Sequence, residues 1–189
     1  MRTSKPIATV SYNTIDFLTE KLNELYNNHQ ISDWMFIKHD AEEDEKKDHV
    51  HLWINPNKLL DTMDLQKFFR EVDPDNLEAK PLGCIDFVSS KIDDWILYSQ
   101  HYPPYLDSKG ESRQFIYRKE DFVVCDELTF DDHYKHAFHG SDWARKYEVI
   151  KVLQDNINDP KFDATELVLK GIVPFSQSSQ LNSIMIIKS

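Results

Sequence analysis

The sequence contains only two cysteines, and they do not form a metal-binding pair. Cys84 and Cys125 lie far apart, each within an apolar run typical of a β-strand. Cysteine sites for zinc need short, paired spacings, and disulfide frameworks belong to oxidising compartments. We therefore predict two ordinary buried thiols in a protein of the reducing cytoplasm.

Long apolar runs are also missing. No stretch approaches the roughly 18 apolar residues of a membrane span, and the first ten residues, MRTSKPIATV, lack the apolar core of a signal peptide. Repeats and low-complexity tracts do not occur. With 189 residues, of which 40% are hydrophobic and 12% aromatic, the chain can nevertheless bury a core. These features predict a globular cytoplasmic protein without a membrane partner.

Positive charge is in deficit. Lys and Arg number 22 against 33 Asp and Glu, which gives a formal net charge of −11 at pH 7. This balance excludes a protein that coats nucleic acid by bulk charge, because such binding depends on neutralising many phosphates with Lys and Arg. A local groove that holds a short piece of DNA remains compatible with it.

The apolar spacing predicts alternating strands and helices. We predict strands over 7–12, 34–39, 49–54 and 82–88, helices over 15–25, 58–71 and 91–102, and short β pieces over 115–117 and 122–125. The last of these helices is expected to stop at Pro103-Pro104. The order β-α-β-β-α-β-α indicates an α+β fold of the split type, in which a central antiparallel sheet carries helices on one face.

The character of the chain changes near residue 134. Trp143, Tyr147, Ile150 and Leu153 fall on one helix face, and 164–170 indicates a second helix. We therefore predict two domains, a sheet domain over 1–133 and a small α-helical region over 134–189 that offers an interaction surface.

The most informative triplet is His49-Val50-His51. Residues two apart on a strand point to the same face, so both imidazoles project together and can hold a divalent cation. His39 ends the neighbouring strand of the predicted hairpin and would lie beside them. Alternating histidines on a half-exposed strand also occur without a ligand, which is the alternative interpretation.

The turn between the two strands supplies carboxylates for the same ion. Glu42 is the candidate fourth ligand, and Asp40, Asp44 and Asp48 compete with it. Three histidines and one carboxylate leave coordination positions for water or phosphate oxygens, as in a catalytic rather than a structural site. Zinc remains a competitor, because it also accepts nitrogen ligands.

A pair of tyrosines follows on the helix predicted over 91–102. Tyr98 and Tyr102 are four residues apart and share one helix face. Most such tyrosines are core or rim residues, but a tyrosine can act as a nucleophile at phosphorus. Its phenol has a pKa of about 10, so it needs help from an ion that polarises the phosphate. A metal site on the sheet beside this helix would make a DNA-nicking centre.

These segments resemble the HUH endonucleases, and most closely the replication initiators of small rolling-circle plasmids of Gram-positive bacteria. Four segments carry the likeness in the family's order, over about residues 5–133. They are FIKHD at 36–40 followed by Glu42, HVH at 49–51, WILYSQH at 95–101 and FIYRKEDF at 115–122. The family usually has Asp where Glu42 stands.

The resemblance implies a function for each domain. The domain over 1–133 would nick and rejoin single-stranded or hairpin origin DNA, with Tyr98 as nucleophile and Mn²⁺ or Mg²⁺ as cofactor. The implied ligands are His39, Glu42, His49 and His51. Tyr102 gives a spacing like that of two-tyrosine HUH enzymes and is the alternative nucleophile. The region over 134–189 would mediate homo-oligomerisation, and a host helicase and polymerase are implied partners.

With a net charge of −11, DNA affinity must come from local cations, for which the candidates are Lys109, Arg113, Arg118 and Lys119. Trp53, Tyr105 and Tyr117 are candidates for stacking on bases, or else core residues. Three other functions stay open. They are a relaxase or viral initiator with the same chemistry, a non-catalytic binding module on the same fold, and a metal enzyme for small molecules such as a cupin. The last lacks the glutamate expected shortly after the histidine pair.

Overall fold

The structure, a computed structural model, describes residues 2–40, 48–69, 88–89 and 91–156. Its strands are β1 (Arg2–Thr3), β2 (Ile7–Ser11), β3 (Ile31–His39), β4 (His49–Pro56), β5 (Leu60–Asp61), β6 (Val88–Ser89) and β7 (Phe122–Val124). Its helices are α1 (Ile15–Asn27), α2 (Thr62–Phe68), α3 (Ile92–Ser99), α4 (Pro103–Ser108), α5 (Glu127–His139) and α6 (Asp142–Asn156). Several of the sequence predictions lie outside these residues. They concern Glu42, Cys84, the helix predicted over 164–170 and most of the strand predicted over 82–88.

Among the described residues, five strands form one antiparallel sheet in the order β6-β2-β4-β3-β7. The strand that carries the histidine pair, β4, is therefore central, and its partner in the predicted hairpin is β3. The register places His39 opposite His49 and Ile37 opposite His51. The α+β class and the hairpin predicted from the sequence are both confirmed.

The main core lies on one face of the sheet, between β4 and α1. Val50, Leu52 and Ile54 alternate along β4 and pack in one cluster with three leucines of α1, Leu18, Leu22 and Leu25. The helix begins where the Thr14 side chain accepts a hydrogen bond from the Phe17 N–H. Thr14 is thus the N-cap residue of α1.

The opposite face of the sheet is also covered by helix. His51 points away from the Leu52 side of β4, and its ring meets Tyr98 of α3. The prediction of helices on one face only is therefore wrong. Trp53, on the same face as His51, is 3% exposed, which shows that β4 is buried on both faces.

The end of α3 differs from the prediction. The helix stops at Ser99 because the Tyr102 N–H donates to the Leu97 carbonyl and the His101 N–H to the Tyr98 carbonyl, both at 3.0 Å. This is the Schellman pattern, with His101 in the left-handed region at φ 58°. Pro103 then begins α4 instead of ending α3.

Two further differences lie after α4. The segment 115–117, predicted as β, is irregular, whereas the strand predicted over 122–125 is confirmed as β7. The helix α5 was not predicted, because its sequence is largely polar. Its signals were Asp126, whose carboxylate accepts from the Thr129 N–H, and the spacing of Phe130, Tyr134 and Ala137.

The backbone divides into two compact units, Met1–Ala137 and Phe138–Ser189, with the division inside α5. In the second unit, α6 confirms the helix predicted around Trp143, whose ring stacks on Tyr147 with centroids 5.1 Å apart. Cys125, predicted to be buried, is only half-buried, and burial raises the pKa of its thiol. No helix within the described ranges has the length and apolar character needed to cross a membrane.

We expect Phe36→Ala to lower the free energy of unfolding by about 3–5 kcal/mol, because the side chain of Phe36 is fully buried in the core on β3. Urea unfolding followed by circular dichroism measures this loss. Leu128→Ala is the control, since Leu128 is 79% exposed and its loss should cost less than about 0.5 kcal/mol. Equal effects of the two substitutions would contradict the placement of Phe36 in the core.

Candidate metal and nucleophile site

The histidines of β3 and β4 converge at one end of the hairpin. The Nε2 atoms of His49 and His51 are 3.2 Å apart, and His39 contributes a third ring from the paired strand. One potential ligand nitrogen from each ring lies within 4.8 Å of the others. Hence these three histidines, predicted from the sequence as ligands, are brought together and could hold a metal ion.

The orientation of His39 is fixed by the end of α3. Its Nε2 lies 2.7 Å from the Ser99 carbonyl oxygen, which only accepts hydrogen bonds, so Nε2 carries the proton. A neutral imidazole protonated on Nε2 presents the lone pair of Nδ1 as a metal ligand. The ring of Tyr117 stacks on His39 at a centroid distance of 4.2 Å and an interplanar angle of 4°. Such outer contacts orient a metal ligand.

A fourth histidine, His101, supports the same ring. Its centroid lies 4.4 Å from that of His39, and its Nδ1 donates to the Phe115 carbonyl at 3.0 Å. A non-glycine residue in the left-handed conformation costs roughly 1–2 kcal/mol, and the ring contacts of His101 offset this cost. The sequence placed His101 three residues after Tyr98 but indicated nothing of this supporting contact.

The fourth ligand is not identified among the described residues. Glu42 and its competitor Asp44 lie outside them. Asp40 and Asp48 both pair with Lys38, the latter at 3.2 Å. The hydrogen bond that Lys38 donates to the Asp40 carboxylate is the largest cause of the raised pKa of Lys38. The donors described are thus three imidazoles, a set that suits Mn²⁺ or Zn²⁺ better than Mg²⁺, which prefers oxygen.

The tyrosine proposed as nucleophile lies against this cluster. The Tyr98 ring meets His51 edge-on with centroids 5.9 Å apart, and its hydroxyl is 3.5 Å from Glu111 Oε2. Burial raises the pKa of the Tyr98 phenol, and the Glu111 carboxylate raises it further. Tyr102, by contrast, is the N-cap of α4 and lies beyond the end of α3, so the two tyrosines do not share a helix.

All four candidate DNA-binding cations have partners within the protein. Lys109 lies over the Tyr105 ring, Arg113 pairs with Glu111, Arg118 with Asp121, and Lys119 with Asp131. The pairs of Arg118 and Lys119 are the more exposed ones. Exposed ion pairs are worth about 0–1 kcal/mol, so a DNA phosphate can replace the carboxylate in these two pairs. Arg118 has the most exposed side chain of the ion-paired three, at 78%.

The candidates for base stacking have a structural role instead. Trp53, Tyr105 and Tyr117 are each less than 5% exposed. Buried rings have no face available to a nucleotide. The aromatic and apolar side chains exposed nearby are those of Phe115 and Ile116.

Two residues of the site were missed by the sequence analysis. Tyr117 was a stacking or core candidate but lies flat against His39, and Glu111 was not singled out although it contacts Tyr98. The histidine alternation needed only local periodicity to be seen, whereas both missed contacts depend on how the chain returns after α4.

Comparison with models of known families, and with curated proteins, finds no match to this chain.

Proposed function

We propose that the protein is a metal-dependent DNA-nicking and rejoining enzyme that initiates rolling-circle replication of a plasmid. The observation that carries the proposal is the contact between Tyr98 and the three-histidine cluster. A nucleophilic hydroxyl beside a site for a divalent cation is the arrangement that attack on a phosphodiester requires.

The position of the cluster within the sheet supports the same proposal. The histidine pair lies on the central strand β4, the third histidine lies on the adjacent β3, and the tyrosine follows on a later helix. This order is compatible with the split β-α-β-β-α-β-α topology of the HUH nucleases. The proposed ligands are His39, His49 and His51, with Glu42 as the fourth and Mn²⁺ as the favoured ion.

In the proposed reaction, Tyr98 attacks the scissile phosphorus in line with the leaving 3′ oxygen. The bond from phosphorus to that oxygen breaks, a 3′-hydroxyl is released for extension by a polymerase, and the 5′ end stays linked as a phosphotyrosine. The retained phosphodiester energy allows the same centre to rejoin strands. When bound, the ion supplies Lewis-acid polarisation of the phosphate. Ser99 and Tyr117 keep His39 in its ligand orientation.

A relaxase or viral initiator would use the same chemistry on different DNA, so the choice among these rests on the resemblance. A non-catalytic binding module would be expected to turn the tyrosine away from the histidines. The edge-on contact between Tyr98 and His51 therefore favours the enzyme.

The proposal predicts a covalent complex that depends on the metal. Protein incubated with manganese and a pool of random single-stranded DNA should give SDS-resistant adducts, and sequencing of the attached DNA should reveal a preferred cleavage site. Chelation with EDTA should abolish the adducts and fresh Mn²⁺ should restore them, because histidine side chains without a metal ion give a phosphodiester no Lewis acid.

The outcome that would contradict the proposal is protein that binds manganese and DNA but forms no adduct over deep sampling of the pool. The non-catalytic module would then be the better account. Adducts that form equally well in EDTA would contradict the metal requirement.

A further inference from the structure

The chain reverses direction after α4 and returns to Tyr98. The Gly110 N–H donates to the Asp107 carbonyl and the Glu111 N–H to the Leu106 carbonyl, both at 3.0 Å. Gly110 has a φ of 73°, and a Cβ there would meet nothing, so the conformation rather than the space requires glycine. The turn sets Glu111 immediately beside the tyrosine.

This turn also places the Glu111 carboxylate beside the Arg113 guanidinium. Glu111 Oε2 lies 3.5 Å from the Tyr98 hydroxyl and 3.0 Å from Arg113 Nη2. The side chains of Glu111 and Arg113 are 38% and 24% exposed, so the pair is partly sheltered from water. The Tyr98 hydroxyl needs an acceptor for its hydrogen bond, and the Glu111 carboxylate is placed to accept that bond.

We propose that Glu111 accepts the proton of Tyr98 as the phenol oxygen attacks phosphorus, and that Arg113 holds the carboxylate in position. This inference rests on the proposed nicking function. The Tyr98 O–H bond must break as its oxygen bonds to phosphorus, so attack without a proton acceptor beside the hydroxyl would be slow. A positioned general base contributes roughly 10²–10⁴-fold to rate.

The transfer balances without any co-reactant other than water. The Tyr98 O–H bond breaks and its proton passes to Glu111, while the bond from Tyr98 Oη to phosphorus forms. The 3′ oxygen leaves with the electron pair of the broken bond and takes a proton from water. In rejoining, a 3′-hydroxyl loses its proton to water and attacks, and Glu111 returns its proton to the departing phenolate.

Other acids near α3 are less suited to this role. The Asp94 carboxylate accepts a hydrogen bond from Tyr105. The pKa of Tyr105 is strongly raised, first by burial and then by Asp94. Asp93 contacts His136 at 2.9 Å. Glu111 is the carboxylate that the structure brings to the Tyr98 hydroxyl itself. Catalytic hydrogen bonds commonly shorten when substrate binds, so a separation of 3.5 Å in the free protein is compatible with the role.

Glu111→Gln tests the inference, because the amide keeps the shape and polarity of the side chain but cannot take the proton. We expect the rate of adduct formation to fall by about 10²–10⁴-fold. Affinities for Mn²⁺ by calorimetry and for single-stranded DNA by fluorescence polarisation should be unchanged. Glu111→Asp, which keeps a carboxylate, should retain more of the rate.

A fluorinated tyrosine at position 98 separates proton removal from a structural effect. Its phenol is more acidic and less dependent on a base, so it should restore the rate of Glu111→Gln by at least about tenfold. It should change the rate of the protein with native Glu111 much less. Glu148→Gln is the matched control, because Glu148 is an exposed carboxylate on α6. This variant should react at the native rate.

The outcomes separate this inference from the function on which it rests. A native rate for Glu111→Gln would overturn the role of Glu111 and leave the nicking function intact. A slow Glu111→Gln that the fluorinated tyrosine does not restore, or that has lost DNA or manganese binding, would show a structural role and would also overturn the inference. No adduct from the native protein would refute the nicking function, and this inference with it.

Discussion

Tyr98→Phe should abolish the covalent protein–DNA complex, with a loss of at least about 10³-fold in the rate of adduct formation. Phenylalanine keeps the ring that packs edge-on against His51 but lacks the oxygen that bonds to phosphorus. Binding of manganese and of single-stranded DNA should therefore persist. Adducts are measured as SDS-resistant bands on a labelled single strand.

Tyr102→Phe is the matched control for this loss. Tyr102 is the N-cap of α4, beyond the Schellman turn at His101, and it does not extend the helix that carries Tyr98. We expect its adduct rate to stay within about threefold of the native rate, since phenylalanine keeps the ring of the half-buried Tyr102 and removes only a hydroxyl beyond the helix that carries Tyr98. Adducts that survive Tyr98→Phe but vanish in Tyr102→Phe would overturn the assignment of the nucleophile.

His51→Ala should weaken manganese binding by more than about 100-fold, because even the loss of a residue that only orients a ligand costs 10–100-fold. His51 supplies one of three imidazoles whose ligand atoms lie within 4.8 Å, and alanine leaves two. Adduct formation should fall in parallel and recover in part at high manganese concentration. Electron paramagnetic resonance of free Mn²⁺ measures the affinity directly.

His139→Ala is the control for a general loss of histidine. His139 ends α5, is exposed, and lies outside the three-histidine cluster. Its replacement should leave manganese affinity unchanged. Equal affinity of His51→Ala and the native protein would contradict a metal site formed by this cluster.

The part of the site that follows from local periodicity was predictable from the sequence. His49 and His51 had to share a face because they are two apart on a strand, and the hairpin placed His39 beside them. The core leucines of α1 were predictable in the same way from their spacing of three and four.

The contacts that depend on chain reversals were not predictable. The sequence predicted that Pro103 ends a helix at 102, but the backbone turns earlier, with a histidine in a conformation that usually requires glycine. This turn and the one at Gly110 lead the chain back, and Glu111 then reaches Tyr98 and Tyr117 reaches His39. Spacing along the chain carries no signal of either contact.

The charge of single residues was also an incomplete guide to DNA binding. Arg113 and Lys119 were predicted to meet DNA because they are cations near the tyrosine helix, yet each forms an ion pair with a carboxylate that the fold brings in. For Lys119, contact with phosphate therefore requires exchange of one anion for another, whereas Arg113 keeps its carboxylate partner Glu111 in the proposed reaction. The prediction of DNA binding by these residues stays open to test.

The most direct test of the account is mass spectrometry of the adduct formed with Mn²⁺ on single-stranded DNA. Trypsin should release the peptide of residues 92–109, which contains Tyr98, Tyr102 and Tyr105. After nuclease trimming, fragmentation locates the nucleotide. We predict a 5′-phosphate ester on Tyr98 alone. A nucleotide on another residue, or no modified peptide from protein shown to bind the metal and the DNA, would contradict the account.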